Sequence, residues 1–324
     1  MRKLAQSNIQ NIKSNKQYNL GTLNLIHNTQ LIFLDKISAS LPGKIYAKAE
    51  HLQPGGSVKD RAAFQIILDA YETGILIKGQ TVVEMTSGNM GAGLALVCKQ
   101  FGNPFIAVMS EGNSPARRKI LNAFGAEIIL TKQVDGCPGM VTGADIAYAV
   151  DVAKDIAQNR NAFYADQFNN PSCIRAHFSY TGPEILRELP NIDVFMASVG
   201  SGGTFIGIAK YLKSINPGIK CIAVEPEKAA ILKTGRVVEP KHIIQGTAYG
   251  LIPPHWDEKL ADDFITVSDQ EVMDMKKCLS VNQGLYVGYS AGANVLAAKK
   301  FLMEQGKPLN IVTVLCDSGY KYGD

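Results

Sequence analysis

From residue 44 onward, short apolar runs alternate with amphipathic helical runs, and few architectures accept that rhythm. KIYAKAE, TVVEM, PFIAVMS, AEIILT, AFYADQF, VFMASVG, CIAVEP, FITVS, LYVGYS and NIVTVLC read as strands. Most are apolar on both faces, so both faces of their sheets must be covered. The intervening runs, such as GAGLALVCKQFG, SPARRKILNAFG and EVMDMKKCLSVNQG, have helical periodicity and end in glycine. The pattern predicts an α/β protein built on doubly wound open parallel sheets. With 324 residues, 46% of them hydrophobic and 19% charged, the chain can bury enough surface for two domains. There is no internal repeat or low-complexity tract. Two loop-like segments, DGCPGMVTG (135–143) and PKHIIQGTAYGLIPPHW (240–256), are expected to form lids or site walls.

The bulk properties narrow the partners. A net charge of +4, without a run of basic residues or interleaved aromatics, argues against nucleic acid and for a small substrate. Six cysteines (Cys98, Cys137, Cys173, Cys221, Cys278 and Cys316) lack CxxC or Cys/His spacing, so no metal site and no disulfide framework is expected. They read as reduced thiols of a cytoplasmic protein. No run approaches the roughly 18 apolar residues of a membrane span, and Arg2-Lys3 precede no secretory core. Residues 1–20, basic and without an acid, read as a loosely ordered arm.

Within HLQPGGSVKDRAAFQIIL (51–68), Ser57 reads as a helix N-cap and Ala62, Ala63, Ile66, Ile67 and Ala70 recur at helical spacing. Lys59 therefore falls in the first turn, where the helix dipole disfavours a cation. A lysine destabilised by dipole and burial has a lowered pKa and offers a free amine as nucleophile or Schiff-base former. The competing reading is a surface lysine paired with Asp60.

Three further turns could hold a ligand. VFMASVGSGGTFIGIAKYLK (194–213) reads as strand, Gly-Ser-Gly-Gly-Thr turn and helix. Amides at such a helix start, uncrowded at Gly200, Gly202 and Gly203, with Ser201 between and the Thr204 hydroxyl beside them, make an anion pocket. A dinucleotide fingerprint is also open, with Glu225 as the ribose ligand, although Phe205 stands where its third glycine belongs. A purely structural turn is the third possibility. In TVVEMTSGNMGAGLALVCKQFG (81–102), Thr86, Ser87 and the following amides suit a carboxylate, and Asn89 suits a polar ring substituent; ordinary capping explains the same residues. NIVTVLCDSGYKYG (310–323) places Asp317 and Ser318 at a strand end, where open sheets put ligand contacts. A lowered lysine, two anion cradles and a strand-end hydroxyl are together what pyridoxal phosphate with an amino-acid substrate requires.

GGSVKDR, TSGNMG, DQFNNPSCIRAHFSYTGPEI, GSGGTF, QGTAYG, VGYSAGAN and LCDSGYKY occur in the order of the signature segments of pyridoxal-phosphate enzymes of the tryptophan-synthase-β fold type (fold type II). The chain resembles the cysteine synthase (O-acetylserine sulfhydrylase) and cystathionine β-synthase group over about residues 20–322. The resemblance implies that Lys59 carries the cofactor as an aldimine, is displaced by the amino acid and then acts as base on its Cα proton. It implies that Asn89 bonds the ring 3′-oxygen, Gly200 to Thr204 hold the phosphate, and Ser318 meets the pyridine nitrogen. Thr86, Ser87, Gly88 and Gln167 would grip the substrate carboxylate. A serine at the ring nitrogen favours β-elimination to an aminoacrylate over transamination, and addition of a nucleophile completes β-replacement. A small mobile domain, 48–165, would close on a large one formed by 1–47 and 166–324, with the cofactor between them. Relatives imply a homodimer and possible docking of a serine acetyltransferase tail. No appended regulatory domain is expected.

Three departures concern the substrate walls. Met90 stands where cysteine synthases have threonine, Ala229-Ala230 replace Ser-Pro, and QGTAYG replaces QGIGAG, bringing Gly246 and Tyr249 to the expected site mouth. The expected activity is cysteine synthesis from O-acetylserine or O-phosphoserine and sulfide. Alternatives are β-replacement with another nucleophile, giving a diaminopropionate-type product or cystathionine, and a cysteine lyase. A non-catalytic scaffold is the reading from another class, and intact Lys59, Asn89 and Ser318 argue against it.

Overall fold

The computed structural model describes residues 21–137 and 141–322, so the expected basic arm at 1–20 lies outside the described residues. Ten strands form two sheets: β1 Leu31–Phe33, β2 Lys44–Lys48, β3 Val82–Met85, β4 Phe105–Ser110, β5 Glu127–Thr131, β6 Phe163–Tyr164, β7 Val194–Ser198, β8 Lys220–Pro226, β9 Asp263–Val267 and β10 Asn310–Val314. The six-stranded sheet runs β1-β2-β10-β7-β8-β9 and the four-stranded sheet β5-β4-β3-β6. Every pairing is parallel except that of β1 with β2.

The α-helices of five residues or more are α1 Lys59–Glu72, α2 Asn89–Phe101, α3 Pro115–Ala123, α4 Gly143–Asn159, α5 Ser172–Ala176, α6 Gly182–Glu188, α7 Gly203–Ile215, α8 Asp269–Gln283 and α9 Tyr289–Gln305. Alternate residues of one strand serve opposite cores. In β3 and β4, Val82, Phe105, Ala107 and Met109 join the cluster under α1 and α2, whereas Val83, Ile106 and Val108 join the one under α4. In β7 and β8, Met196, Ile222 and Val224 face the α8–α9 side, and Phe195, Ala197, Cys221 and Ala223 the α7 side. This two-sided burial is why the strands read as continuous apolar runs.

One expected strand fails. LYVGYS contributes a single bridge from Val287 to Ser318, and α9 begins at Tyr289. Gly288 is its N-cap, so the run is a helix entrance, and the missed strand is β1. The N-cap of α1 is Val58 rather than Ser57; the Ser57 hydroxyl still accepts the Lys59 N–H at 3.3 Å.

Candidate active site

Lys59 opens α1, and its Nζ lies 3.5 Å from Ser201 Oγ in the glycine turn. The side chain is half-buried, and among the described residues no carboxylate pairs with it. Desolvation lowers its pKa, and the neighbouring Cys173 and Cys316 would oppose this only as thiolates. Burial keeps those thiols protonated, Cys173 pushed up to about 12 and Cys316 to about 11. Asp60, expected as a surface partner, is instead fully buried; desolvation pushes it up to about 7, and its Oδ2 accepts the Gly55 N–H. The paired-surface-lysine reading is therefore wrong.

The turn before α7 is shaped for an anion. The N–H groups of Gly202, Gly203 and Thr204 lie at a helix start without intrahelical acceptors. Gly202 has φ 93°, which favours glycine. A Cβ on Gly200 would lie 2.2 Å from Gly246 O, and one on Gly203 would lie 2.9 Å from Cys173 Cβ. Thr204 Oγ1 is 3.2 Å from Nε2 of buried His177, whose pKa burial lowers. Phe205 packs between Phe195 and Trp256 at the position where a dinucleotide fold has its third glycine, which argues against that fingerprint.

The second turn meets the third. Asn89 Nδ2 donates to Asp317 Oδ2 at 2.7 Å, and the Tyr322 hydroxyl donates to the same oxygen at 2.6 Å. Asp317 Oδ1 is buried and has no hydrogen-bond partner among the described residues. The backbone closes the group: Val58 N–H donates to Cys316 O at 2.8 Å and Ser318 N–H to Gly56 O at 3.1 Å. Lys59, the glycine turn, Asn89 and the 316–318 strand end thus converge.

Thr86 Oγ1 accepts from Gly91 N at 3.0 Å and Gly88 N at 3.4 Å, capping α2 from two residues upstream of Gly88. Ser87 is half-buried and Gly88 exposed. Met90 is 2% exposed and belongs to the apolar cluster with Leu94, Val97 and Phe101, the α2 stripe at helical spacing. It is core, and the expectation that it faces the substrate is corrected. Gln167 is buried beside Glu84: its N–H donates to Glu84 Oε2 at 3.2 Å, and its carbonyl accepts from His255 Nε2 at 3.2 Å and Cys173 Sγ at 3.4 Å. Desolvation pushes Glu84 up to about 8. Tyr249 is half-buried, its ring edge-on to Phe168 with centroids 5.6 Å apart, and Gly246 lies against Gly200.

Ser318 has a local role, its Oγ accepting the Tyr320 N–H at 3.3 Å. Sequence reasoning missed Ser290, a buried hydroxyl in the first turn of α9 that acts to lower the Cys316 thiol near Lys59. The signal was present in VGYSAGAN, read as the end of a strand. It also missed Asn294 of that segment, which accepts the Ser198 N–H at 2.7 Å and donates to Val314 O at 2.9 Å, pinning two strand ends. Arg61 was missed as well. It is fully buried, bidentate to Glu50 and to Glu184 at 2.7–2.8 Å, with Lys48 3.1 Å from Glu184. Burial acts to raise the Glu184 carboxyl, but the Arg61 guanidinium holds it well below the usual range. Depressions of about 520 Å³ at Trp256 and about 460 Å³ at Phe33 and Leu309 lie away from Lys59 and gather no comparable chemistry.

Comparison with known proteins agrees with this geometry. The family described as pyridoxal-phosphate dependent enzyme matches residues 22–317. Cysteine synthase B of Campylobacter jejuni is 39% identical over 300 residues, 92% of this chain and 95% of the relative. Among solved structures, an O-ureido-L-serine synthase superposes with a TM-score of 0.85 at 32% identity, covering 93% of this chain and 92% of that one. An O-acetylserine dependent cystathionine β-synthase from Helicobacter pylori superposes with a TM-score of 0.84 at 35% identity, covering 93% and 96%.

Proposed function

The chain belongs to the family of pyridoxal-phosphate dependent enzymes, and on that premise we propose that it performs β-replacement on an activated L-serine, making cysteine from O-acetylserine or O-phosphoserine and sulfide. The observation that carries the reading is the Lys59 amine, lowered by desolvation and facing Ser201 at 3.5 Å.

The residues fit the cofactor. Amides of Gly202, Gly203 and Thr204 would hold its phosphate, at a turn where an added Cβ on Gly200 or Gly203 would collide with Gly246 O or Cys173 Cβ. Asn89, tied to Asp317, would meet the ring oxygen. A donor to the ring nitrogen would come from Ser318, whose oxygen accepts the Tyr320 N–H and keeps its own proton to give, or from buried Ser290 in the first turn of α9. Bound there, pyridoxal phosphate supplies the electron sink for charge developing at the substrate Cα.

The chain supplies the rest. Neutral Lys59 Nζ takes the Cα proton, which an ammonium could not do. Ser87, the amides at the start of α2 and Gln167 bind and orient the carboxylate, while Tyr249 and Phe168 wall the side from which the nucleophile arrives. The 48–165 segment, which carries the four-stranded sheet, would close over the site and exclude water. Homodimer assembly and docking of a serine acetyltransferase tail belong to the same reading, tested by light scattering with and without a tail peptide. Among the described residues no helix is long and apolar enough to cross a membrane, and all six cysteines are free, which supports a cytoplasmic setting.

The deciding experiment gives holoenzyme O-acetyl-L-serine or O-phospho-L-serine, measures acetate or phosphate release, and identifies the products with sulfide, thiols and amines by mass spectrometry. Release with cysteine as the sulfide product is expected. No release from either ester would overturn the proposal.

A further inference from the structure

Arg117 stands in the first turn of α3, a position that the helix dipole makes unfavourable for a cation. It is half-buried, and its partners are all neutral: Ser87 Oγ at 2.8 Å and Asn113 Oδ1 at 3.2 Å from Nη1, and Gln245 Oε1 from Nη2. Among the described residues no carboxylate comes within ion-pair distance of it. Its neighbour Arg118 reaches the loop carbonyls of Glu111 and Asn113 instead. A guanidinium at a helix start whose protein partners are all neutral leaves its charge available to an anion from outside the chain.

The direction of the hydrogen bonds says where. A guanidinium can only donate, so Ser87 Oγ is the acceptor and its own O–H proton must point elsewhere. Ser87 lies just ahead of the α2 N-terminus, whose free amides also attract an anion. We propose that Arg117 is a positioning residue: it fixes Ser87 as a hydrogen-bond donor to the carboxylate of the amino-acid substrate, and its second arm ties that loop to the 245–249 wall. The Arg117–Ser87 bond polarises the hydroxyl it orients, which strengthens donation to an anion. The Arg117–Gln245 bond joins the segment carrying the four-stranded sheet to a loop of the other sheet, 128 residues away in sequence. The same guanidinium is the charged neighbour of Tyr249, opposing the rise that burial imposes on its phenol. Carboxylate binding and the order of the nucleophile wall therefore share one side chain.

This inference rests on the proposed substrate class. Its test uses holoenzyme and L-alanine, which has the carboxylate but no leaving group, against L-alaninamide, which lacks the charge. Arg117→Ala should weaken L-alanine binding about tenfold or more, the scale of one lost charge-assisted hydrogen bond. L-Alaninamide binding, cofactor affinity and melting temperature should be unchanged. Arg117→Lys should recover only part of the loss, because an ammonium cannot fork to Ser87 and Gln245 together. In a Ser87→Ala background, Arg117→Ala should add little. L-Alanine should slow hydrogen exchange of the 243–250 peptide in the wild type, and neither in Arg117→Ala nor in Gln245→Ala. Unchanged L-alanine affinity in Arg117→Ala, an equal loss for the amide, or full additivity with Ser87→Ala would overturn the proposal. Failure of the functional reading would look different, as no L-alanine binding by the wild type, and would take this inference with it.

Discussion

Lys59 and Arg61 are two residues apart in the first turn of one helix, and the fold treats them in opposite ways. Arg61 is enclosed by Glu50 and Glu184, with Lys48 and Thr29 completing the cluster, and burial there keeps every charge because each is paired. His27, stacked on Tyr180 and 3.1 Å from Arg61, is held neutral, lowered to about 3 by desolvation and then by the guanidinium. Lys59 faces a hydroxyl and two protonated thiols, and the same loss of solvent pushes it toward the free amine. Burial alone does not decide the charge state; the presence of a carboxylate does. One cation is spent on holding the helix start in place, so that the other can react from it.

The largest contrast should appear when each is removed. Lys59→Ala breaks no ion pair, so the denaturation midpoint should hardly move, while turnover falls by about 10²–10⁴-fold or more with loss of the base. Borohydride reduction of wild-type holoenzyme should place the pyridoxyl label on Lys59, as peptide mass analysis will show; a label on another lysine would remove Lys59 from its role. Arg61→Ala should do the reverse, costing about 3–5 kcal/mol of stability by stranding two buried carboxylates. An Arg61→Ala variant as stable as wild type would mean that the cluster does not anchor α1.

A smaller effect is expected across the cleft. Gly203→Val forces a side chain against Cys173 Cβ, which already lies 2.9 Å from the position of an added Cβ. Cofactor affinity should fall by at least about tenfold, a cost of roughly 1.4 kcal/mol, in protein that still melts cooperatively. Unchanged affinity in a folded variant would put the phosphate elsewhere.

These residues were not equally legible. Lys59, the glycine turn and TSGN could be read because their signals are local: a dipole, a missing Cβ, a hydroxyl before a helix. Arg61 could not, since its partners come from residues 27, 29, 50 and 184 and an arginine in a first helical turn reads as surface. Ser290 was hidden by a strand-like alternation through Leu285 and Val287 that stops at Gly288, where the helix begins. Met90 was harder to read because it closes the polar TSGN loop and also starts the apolar α2 stripe, and the stripe decides where its side chain packs. The α/β architecture itself was readable, because burial on both faces leaves its mark on every residue of a strand.

A further effect should be one of pH, and it separates the two regions by sign. Glu184 is depressed by Arg61, so its contribution to stability is complete above the ordinary carboxyl value of 4.5 and is lost as pH falls through its lowered folded value. Glu84, beside Gln167, is raised by desolvation from 4.5 to about 8. Its contribution is complete below 4.5 and is lost as pH rises toward 8, because the unfolded chain ionises first. Asp60, raised from 3.8 to about 7, acts in the same direction. Glu84→Gln keeps an acceptor for the Gln167 N–H and cannot ionise, so the variant should gain stability relative to wild type as pH rises across this window. Asp60 should leave a residual slope of the same sign. Denaturant midpoints of both proteins at pH 5 and pH 8 measure the change. A wild-type-to-variant difference that is the same at both values would mean that Glu84 is ionised in the folded protein, and that the neutral surroundings of Lys59 do not extend to the floor beneath Gln167.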